Sequence, residues 1–259
     1  MQLSWFPKPI YKEIYIVTFL AFGGCGWLIF STSSGWLLLS IIAILSVTIL
    51  IGSSFIVCSG VYVTTICKGR TKSNKIAITL DDGPCEQTKE ILQVLDKYQV
   101  KATFFLIGNK AALYKDIIYE MSQKGHNIGN HSYYHKSWFP IIGVKRIKQE
   151  LIETQNIITS ITGIKQTYFR PPFGITNPFI AKAIKKFDFK TIGWSIRSLD
   201  TIIDNPEKIL DRIKNKIGPG SIVLMHDTTK NAVSVLEQLL IYCKQKNLVP
   251  VNLDELLED

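Results

Sequence analysis

The chain has 259 residues, 46% of them hydrophobic, with a formal net charge of +9. That length holds one large domain or two modest ones. The basic excess is scattered, with no aromatic-interleaved block on one face. This speaks against a nucleic-acid partner and for a solvated basic surface near anionic lipid.

Two apolar runs come first. Ile14 to Phe30 is uncharged but interrupted by Gly23, Gly24 and Gly26, and Trp36 to Cys58 is longer and also uncharged. A bilayer core takes roughly 20 apolar residues, with about 17 as the lower limit. The second run therefore predicts a membrane helix and the first a marginal one, joined by a tight Ser31–Gly35 turn. Trp27, Trp36 and Tyr62 suit interfacial anchoring. Other readings of the first run are a cleaved signal peptide, a lipoprotein signal ending at Cys25, or a buried core helix. The expected organisation is a two-helix membrane anchor over 1–73 (helices at about 14–30 and 36–58) and a soluble domain over 74–259. Val61 to Asn74 reads as a basic linker. The cysteines show no CxxC spacing, so neither a disulfide framework nor a cysteine metal site is implied.

From Lys75 onward strand-like and helix-like stretches alternate. Short apolar runs at Ile76–Leu80, Ala102–Leu106, Asn127–Gly129, Thr167–Arg170, Lys190–Trp194, Ser221–Met225 and Val249–Leu253 read as strands. Helices are predicted at Thr88–Tyr98, Tyr114–Lys124, Val144–Thr162, Pro178–Phe187, Pro206–Ile217 and Ala232–Lys246. Asn177 before Pro178 is a cap followed by proline at the first helical position. About seven strands alternating with helices predict parallel βα units, wound as a barrel or as an open sheet. No glycine-rich phosphate loop follows the first strand.

Chemistry collects at the strand ends. Asp81 and Asp82 follow the first strand in T-L-D-D-G-P; taken alone this is also ordinary turn chemistry. His131 and His135, in H-S-Y-Y-H, follow the third, at a spacing that lets two imidazoles reach one metal ion. Arg170, in R-P-P-F-G, ends the fourth, Asp200 lies beyond the fifth, and His226, in L-M-H-D, ends the sixth. In βα barrels these ends share one face, where reacting groups gather. His126 lies on the entering side and reads as a core or helix-end histidine.

In order and spacing these segments resemble the polysaccharide deacetylase family, the NodB-type domain of chitin and peptidoglycan deacetylases, over about Lys75 to Glu258. The resemblance implies a distorted (β/α) barrel and a hydrolase that removes an N-acetyl or other N-acyl group from an amino sugar. Asp82, His131 and His135 would bind one divalent metal, zinc most often, with cobalt as a substitute. Asp81 would be the general base, held by Arg170, and His226 the general acid. The backbone near Pro172 and Phe173 would meet the oxyanion, and Phe173 and Trp194 would line the sugar site. One departure stands out: Arg197 replaces an aspartate found in many members. Either Asp200 supports His226, or Arg197 turns outward to a phosphate or carboxylate on the substrate. The implied partner is an acetylated glycan; the alternative within enzymes is a deacylase or deformylase of a lipid-linked amino-sugar precursor, with membrane lipid as a further partner. A non-catalytic glycan-binding membrane protein is the rival from another class. Lys8 and Lys12 before the first run, and Lys68, Arg70, Lys72 and Lys75 after the second, predict a cytoplasmic catalytic face by the positive-inside rule. Unpaired cysteines would agree with that reducing side.

Overall fold

The computed structural model describes residues 33–70 and 73–258, with isolated positions 13, 16 and 20. Apart from positions 16 and 20, the first apolar run, and with it the first arm of the expected hairpin, lies outside the described residues.

Helix α1 spans Ser33–Ser54, 22 residues, and its Gly35–Ser54 stretch has a mean hydropathy of 2.4 and an apolar surface left uncovered by the rest of the chain. At 1.5 Å per residue, such a stretch is about 30 Å long, the thickness of a bilayer core. The helix ends at Ser54, short of the expected Cys58. Val57–Ser59 instead forms a 3-10 turn whose Val57 is buried against the domain.

The remainder is a curled, all-parallel sheet wrapped by helices. Its strands are β1 (Thr65–Ile66), β2 (Lys75–Asp81), β3 (Thr103–Leu106), β4 (Asn127–Asn130), β5 (Tyr168–Phe169), β6 (Lys190–Ile192), β7 (Ile196–Arg197), β8 (Ile222–His226) and β9 (Val249–Val251). They run in the order β1-β6-β5-β4-β3-β2-β8-β7, with β9 also on β2. The helices are α2 (Gln87–Lys97), α3 (Gly108–Ala111), α4 (Lys115–Gln123), α5 (Val144–Thr162), α6 (Pro178–Ile184), α7 (Pro206–Lys214), α8 (Ala232–Gln245) and α9 (Leu253–Leu257). Among the described residues the sheet has nine strands rather than about seven; β1 and β7 are two residues each.

Strand alternation sorts the core. On β2, Ile76, Ile78 and Leu80 face the helix layer, packing with Ile91, Leu92 and Leu95 of α2. Ala77 faces the interior of the curl with Phe105, Tyr168, Ile192 and Ile222. The interior-facing positions continue as Thr79 and Asp81, so the polar site grows out of the barrel's own apolar plug. His126 stays in the core as expected. It is buried, its Nδ1 accepts the Ala102 N–H at 3.1 Å, its ring meets Phe104, and burial lowers its pKa to about 4.

Two expectations about the segment after α1 are corrected. Residues 61–70 are not a free linker: Val61, Tyr62 and Val63 are buried, β1 pairs with β6, and Gly69 N–H bonds Gly220 O at 2.8 Å. Cys58 and Cys67 form a disulfide. Sequence spacing did not reveal it because the pair is brought together by the 3-10 turn and β1.

Candidate active site

Asp81 is the last residue of β2 and Asp82 the first beyond it, with φ of 72°. Asp81 is 3% exposed, and its Oδ1 lies 2.6 Å from Arg170 Nη1. Arg170 follows β5 and is completely buried, yet every face of its guanidinium is used. Nη1 also donates to Thr79 Oγ1 at 2.8 Å, Nη2 donates to Gly193 O at 2.8 Å, and Nε donates to Ile192 O at 3.3 Å. The group stacks 4.1 Å from the Phe105 ring centre. A buried ion pair persists only when its remaining hydrogen-bonding capacity is met, and here it is. Burial pushes the Asp81 carboxyl above its ordinary pKa, while Arg170, His226 and His135 pull it back. The result is a fixed carboxylate of raised basicity, as a general base requires.

Asp82, His131 and His135 converge beside it. Their ligand atoms all lie within 4.8 Å of one another, with His131 Nε2 3.6 Å and His135 Nε2 3.4 Å from Asp82 Oδ1. His131 sits just past β4. Its Nδ1 is 2.8 Å from Arg170 O, which makes Nδ1 the donor and leaves Nε2 with a free lone pair. Burial lowers the His131 pKa to about 3, so the ring is neutral. Asp82 Oδ1 is buried without a hydrogen-bond partner. An orphaned carboxylate oxygen facing two imidazole nitrogens is the donor set a divalent cation fills, and nitrogen with carboxylate suits zinc.

The loops that carry these ligands are tightly built. Lys110 Nζ donates to Asp82 O at 2.7 Å, and Ile107 N–H to Gly83 O at 2.9 Å. Gly83 has to be glycine, because a Cβ there would lie 2.0 Å from Asp227 Oδ2. Glu150 on α5 accepts the N–H groups of Tyr133 and Tyr134 at 3.1 Å each, bracing the loop between the two histidines. Of the seven non-glycine residues at positive φ among the described residues, Asp82, Ser132, His135, Phe173 and Leu199 lie in the loops around this site. Strained backbone concentrates where the geometry is functional.

On the opposite wall His226 ends β8. Its Nδ1 is 2.8 Å from Asp200 Oδ1, and its N–H donates to Asp200 Oδ2 at 2.8 Å. Ser198 Oγ donates to Asp200 Oδ1 at 2.8 Å. Burial lowers the His226 pKa, but the Asp200 hydrogen bond and the charges of Asp81, Asp200 and Asp82 outweigh it and raise the group overall. Of the two alternatives open in the sequence, the geometry has Asp200 in contact with the histidine, while Arg197 is exposed. A cavity of about 220 Å³ joins Asp81, Asp82, His131, His135, Phe173, Gly174, Trp194, Arg197, Thr201, Leu224 and His226. Pro172 is buried beneath the loop and, as proline, has no N–H to offer. Gly174 and Ile175 N–H bond Pro171 O and Pro172 O, which leaves Phe173 N–H as that turn's remaining donor. The Phe173 ring is 48% exposed and lies 4.5 Å from His135.

The model of the polysaccharide deacetylase family matches residues 68–192. A chitin deacetylase of a Pestalotiopsis species is 34% identical over 78% of this chain and 70% of its own length. The chain belongs to the polysaccharide deacetylase family. The peptidoglycan-N-acetylmuramic acid deacetylase PdaC of Bacillus subtilis is 32% identical over 64% of this chain, but the match spans only 35% of that longer protein. Among solved structures, BA3943 of Bacillus anthracis, described as a CE4 family pseudoenzyme, superposes with a TM-score of 0.68 at 29% identity, over 73% of this chain and 67% of that one. The family therefore includes members without activity, and a catalytic reading of this chain has to rest on its own residues.

Sequence reading missed three of the supporting groups. Asp227 is fully buried under the Asp82–Gly83 turn, with Thr88 Oγ1 donating to it at 2.6 Å, and its place directly after His226 was the available signal. Glu150 and Lys110 gave none, since each acts across loops far away in sequence.

Proposed function

We propose that this protein is a metal-dependent hydrolase that cleaves the amide C–N bond of an N-acetylated amino sugar in a glycan. The observation that carries the reading is the convergence of Asp82, His131 and His135 beside a buried, arginine-held Asp81, with His226 on the facing wall. Asp82, His131 and His135 would hold the cation. When bound, a divalent ion such as zinc supplies Lewis acidity toward water and the acyl carbonyl. Asp81 accepts a proton from the attacking water as its oxygen bonds the carbonyl carbon. Phe173 N–H is the backbone donor on the side of the developing oxyanion. His226, oriented by Asp200, gives a proton to the nitrogen as the C–N bond breaks, releasing acetate and a free amino sugar. Trp194 and Phe173 form the sugar-facing walls, and Arg197 meets an acidic substituent on the glycan.

The apolar helix before the domain supports a membrane-anchored enzyme. The cytoplasmic face expected from flanking charge loses its second support, because Cys58 and Cys67 are paired rather than free. A disulfide persists on the oxidising side of a membrane, so the extracytoplasmic face is the reading favoured here. The direct test is acetate release from N-acetylated oligosaccharides by the full-length protein. Activity should vanish on chelation and return with zinc or cobalt; a rate unchanged by chelation would refute the metal-dependent reading.

A further inference from the structure

The membrane helix and the catalytic cleft share a wall. Thr176 N–H donates to Ser54 O at 2.9 Å, at the last residue of α1. Tyr62 Oη donates to Leu50 O at 2.8 Å, one turn further into the helix. Beyond Ser54 the Cys58–Cys67 disulfide closes a short loop, and Cys58 Sγ rests 3.3 Å from Trp194 O. A disulfide sulfur carries no proton, so this last is a packing contact rather than a hydrogen bond. Gly193 is confined by the same junction: a Cβ there would meet Cys67 Sγ at 2.5 Å and Val57 Cγ1 at 3.1 Å. Trp194, with Phe173 and Gly174, lines the cleft.

The distances this implies are small. Phe173 is three residues from Thr176, which is at most about 11 Å of chain, and Phe173 touches the metal-site histidine His135. No flexible tether intervenes, because residues 55–66 are spent on the 3-10 turn, the disulfide loop, the buried Val61–Val63 and β1. A tethered domain ranges over tens of ångströms, as the square root of linker length; this one has no such freedom. The surface around the helix exit also has the character of a membrane interface. Phe55, Ile56 and Phe179 are 68%, 59% and 47% exposed, and Lys182 on α6 and Lys185 just past its end are exposed as well.

We propose that the cleft operates at the bilayer surface, on an N-acylated amino-sugar glycan that is still joined to a membrane lipid. This rests on the deacylase reading above and specifies its substrate. A glycan anchored in the same leaflet brings its first sugars to the level of the cleft. A polymer held away from the membrane lies beyond the reach of a domain fixed in this way.

The test uses the full-length protein in lipid vesicles and three probes. One is a di-N-acetylated amino-sugar disaccharide joined through pyrophosphate to a polyprenol in the same vesicles. The others are the same disaccharide free in solution and sedimented insoluble cell-wall glycan. The expected result is a kcat/KM at least 10-fold higher for the lipid-linked sugar than for the free one, with little acetate from the insoluble polymer. A second protein with a 20-residue Gly-Ser insertion between Phe55 and Ile56 should gain activity on the insoluble polymer while its rate on the free disaccharide is unchanged. Equal or faster hydrolysis of the insoluble polymer by the unaltered protein would overturn the inference and leave the deacylase reading intact. Acetate from none of the three probes would overturn both.

Discussion

Replacing Asp200 by asparagine keeps the side chain's shape and removes its charge, so it isolates what Asp200 does for His226. Asp200 makes both of its contacts to His226 at 2.8 Å, one to Nδ1 and one to the backbone N–H, and both residues are buried. A hydrogen bond to a charged group is worth about 1.5–3 kcal/mol, or roughly 10- to 150-fold in rate if it is expressed at the transition state. The sign follows from the direction of the shift. The folded-state pKa of His226 is raised, so its protonated, acid-competent form survives to higher pH. Without the Asp200 charge the pKa falls, because burial still lowers it and only the charges of Asp81 and Asp82 remain to raise it, and the acid is lost at lower pH. Asp200→Asn should lower kcat by roughly 10- to 150-fold at neutral pH, on the hydrogen-bond value just given. It should also move the alkaline limb of the kcat profile to lower pH. Acetate release measured from pH 5 to 10 reads both. An unchanged alkaline limb with an unchanged rate would refute the pairing of Asp200 with a general acid.

Asp81→Asn should retain bound metal by elemental analysis and lose about 10²- to 10⁴-fold in kcat, the usual contribution of a general base. His131→Ala should lose the metal itself, and a stoichiometric ion in that variant would contradict the ligand assignment. Arg197→Ala should raise KM for glycans carrying a carboxylate or phosphate and leave kcat and neutral substrates alone; equal KM values for charged and neutral glycans would deny it a substrate contact. Joint replacement of Cys58 and Cys67 by serine releases a short loop closure worth about 2–3 kcal/mol. The melting temperature should fall by roughly 5–10 °C for a domain of this size, and no change would indicate that the pair is not bonded in the native protein.

The parts of the fold legible in sequence are those long enough to show a period. The helix over Val144–Thr162 agrees with its observed bounds, because Ile147, Leu151 and Ile158 repeat at helical spacing and Gly163 closes the end with a left-handed φ of 72°. Strand β2 was equally plain from its apolar run. The two-residue strands β1 and β7 and the short helices α3 and α9 have no room for a pattern; they exist because neighbours accept them. The stretch 61–70 looked like a linker because its basic residues are local, whereas the reason it folds, an open edge on β6, is distant in sequence. The site residues were legible as a set of strand-end motifs. Their second partners Glu150 and Lys110 were not, since a hydrogen bond across a loop leaves no mark on spacing.

Two adjacent aspartates ordinarily make poor neighbours, because their charges repel and a strand sends successive side chains to opposite faces. This site resolves both problems with one turn of backbone. Asp81 keeps its strand geometry and points into the curl, where Arg170 neutralises it. Asp82 takes a φ of 72°, so the chain reverses hand immediately after β2. Its carboxylate is thereby brought back to the same cleft, toward His131 and His135 instead of the helix layer. Lys110 and Ile107 fix the loop through the carbonyls of Asp82 and Gly83, and Asp227 packs into the space a side chain at position 83 would fill. A β-branched or aromatic residue at 82 would not hold that φ without cost, and a side chain at 83 would displace Asp227. The D-D-G sequence is therefore read by its backbone as much as by its carboxylates. It separates a carboxylate held by arginine from one turned toward two imidazoles, one residue apart, in a cleft of about 220 Å³.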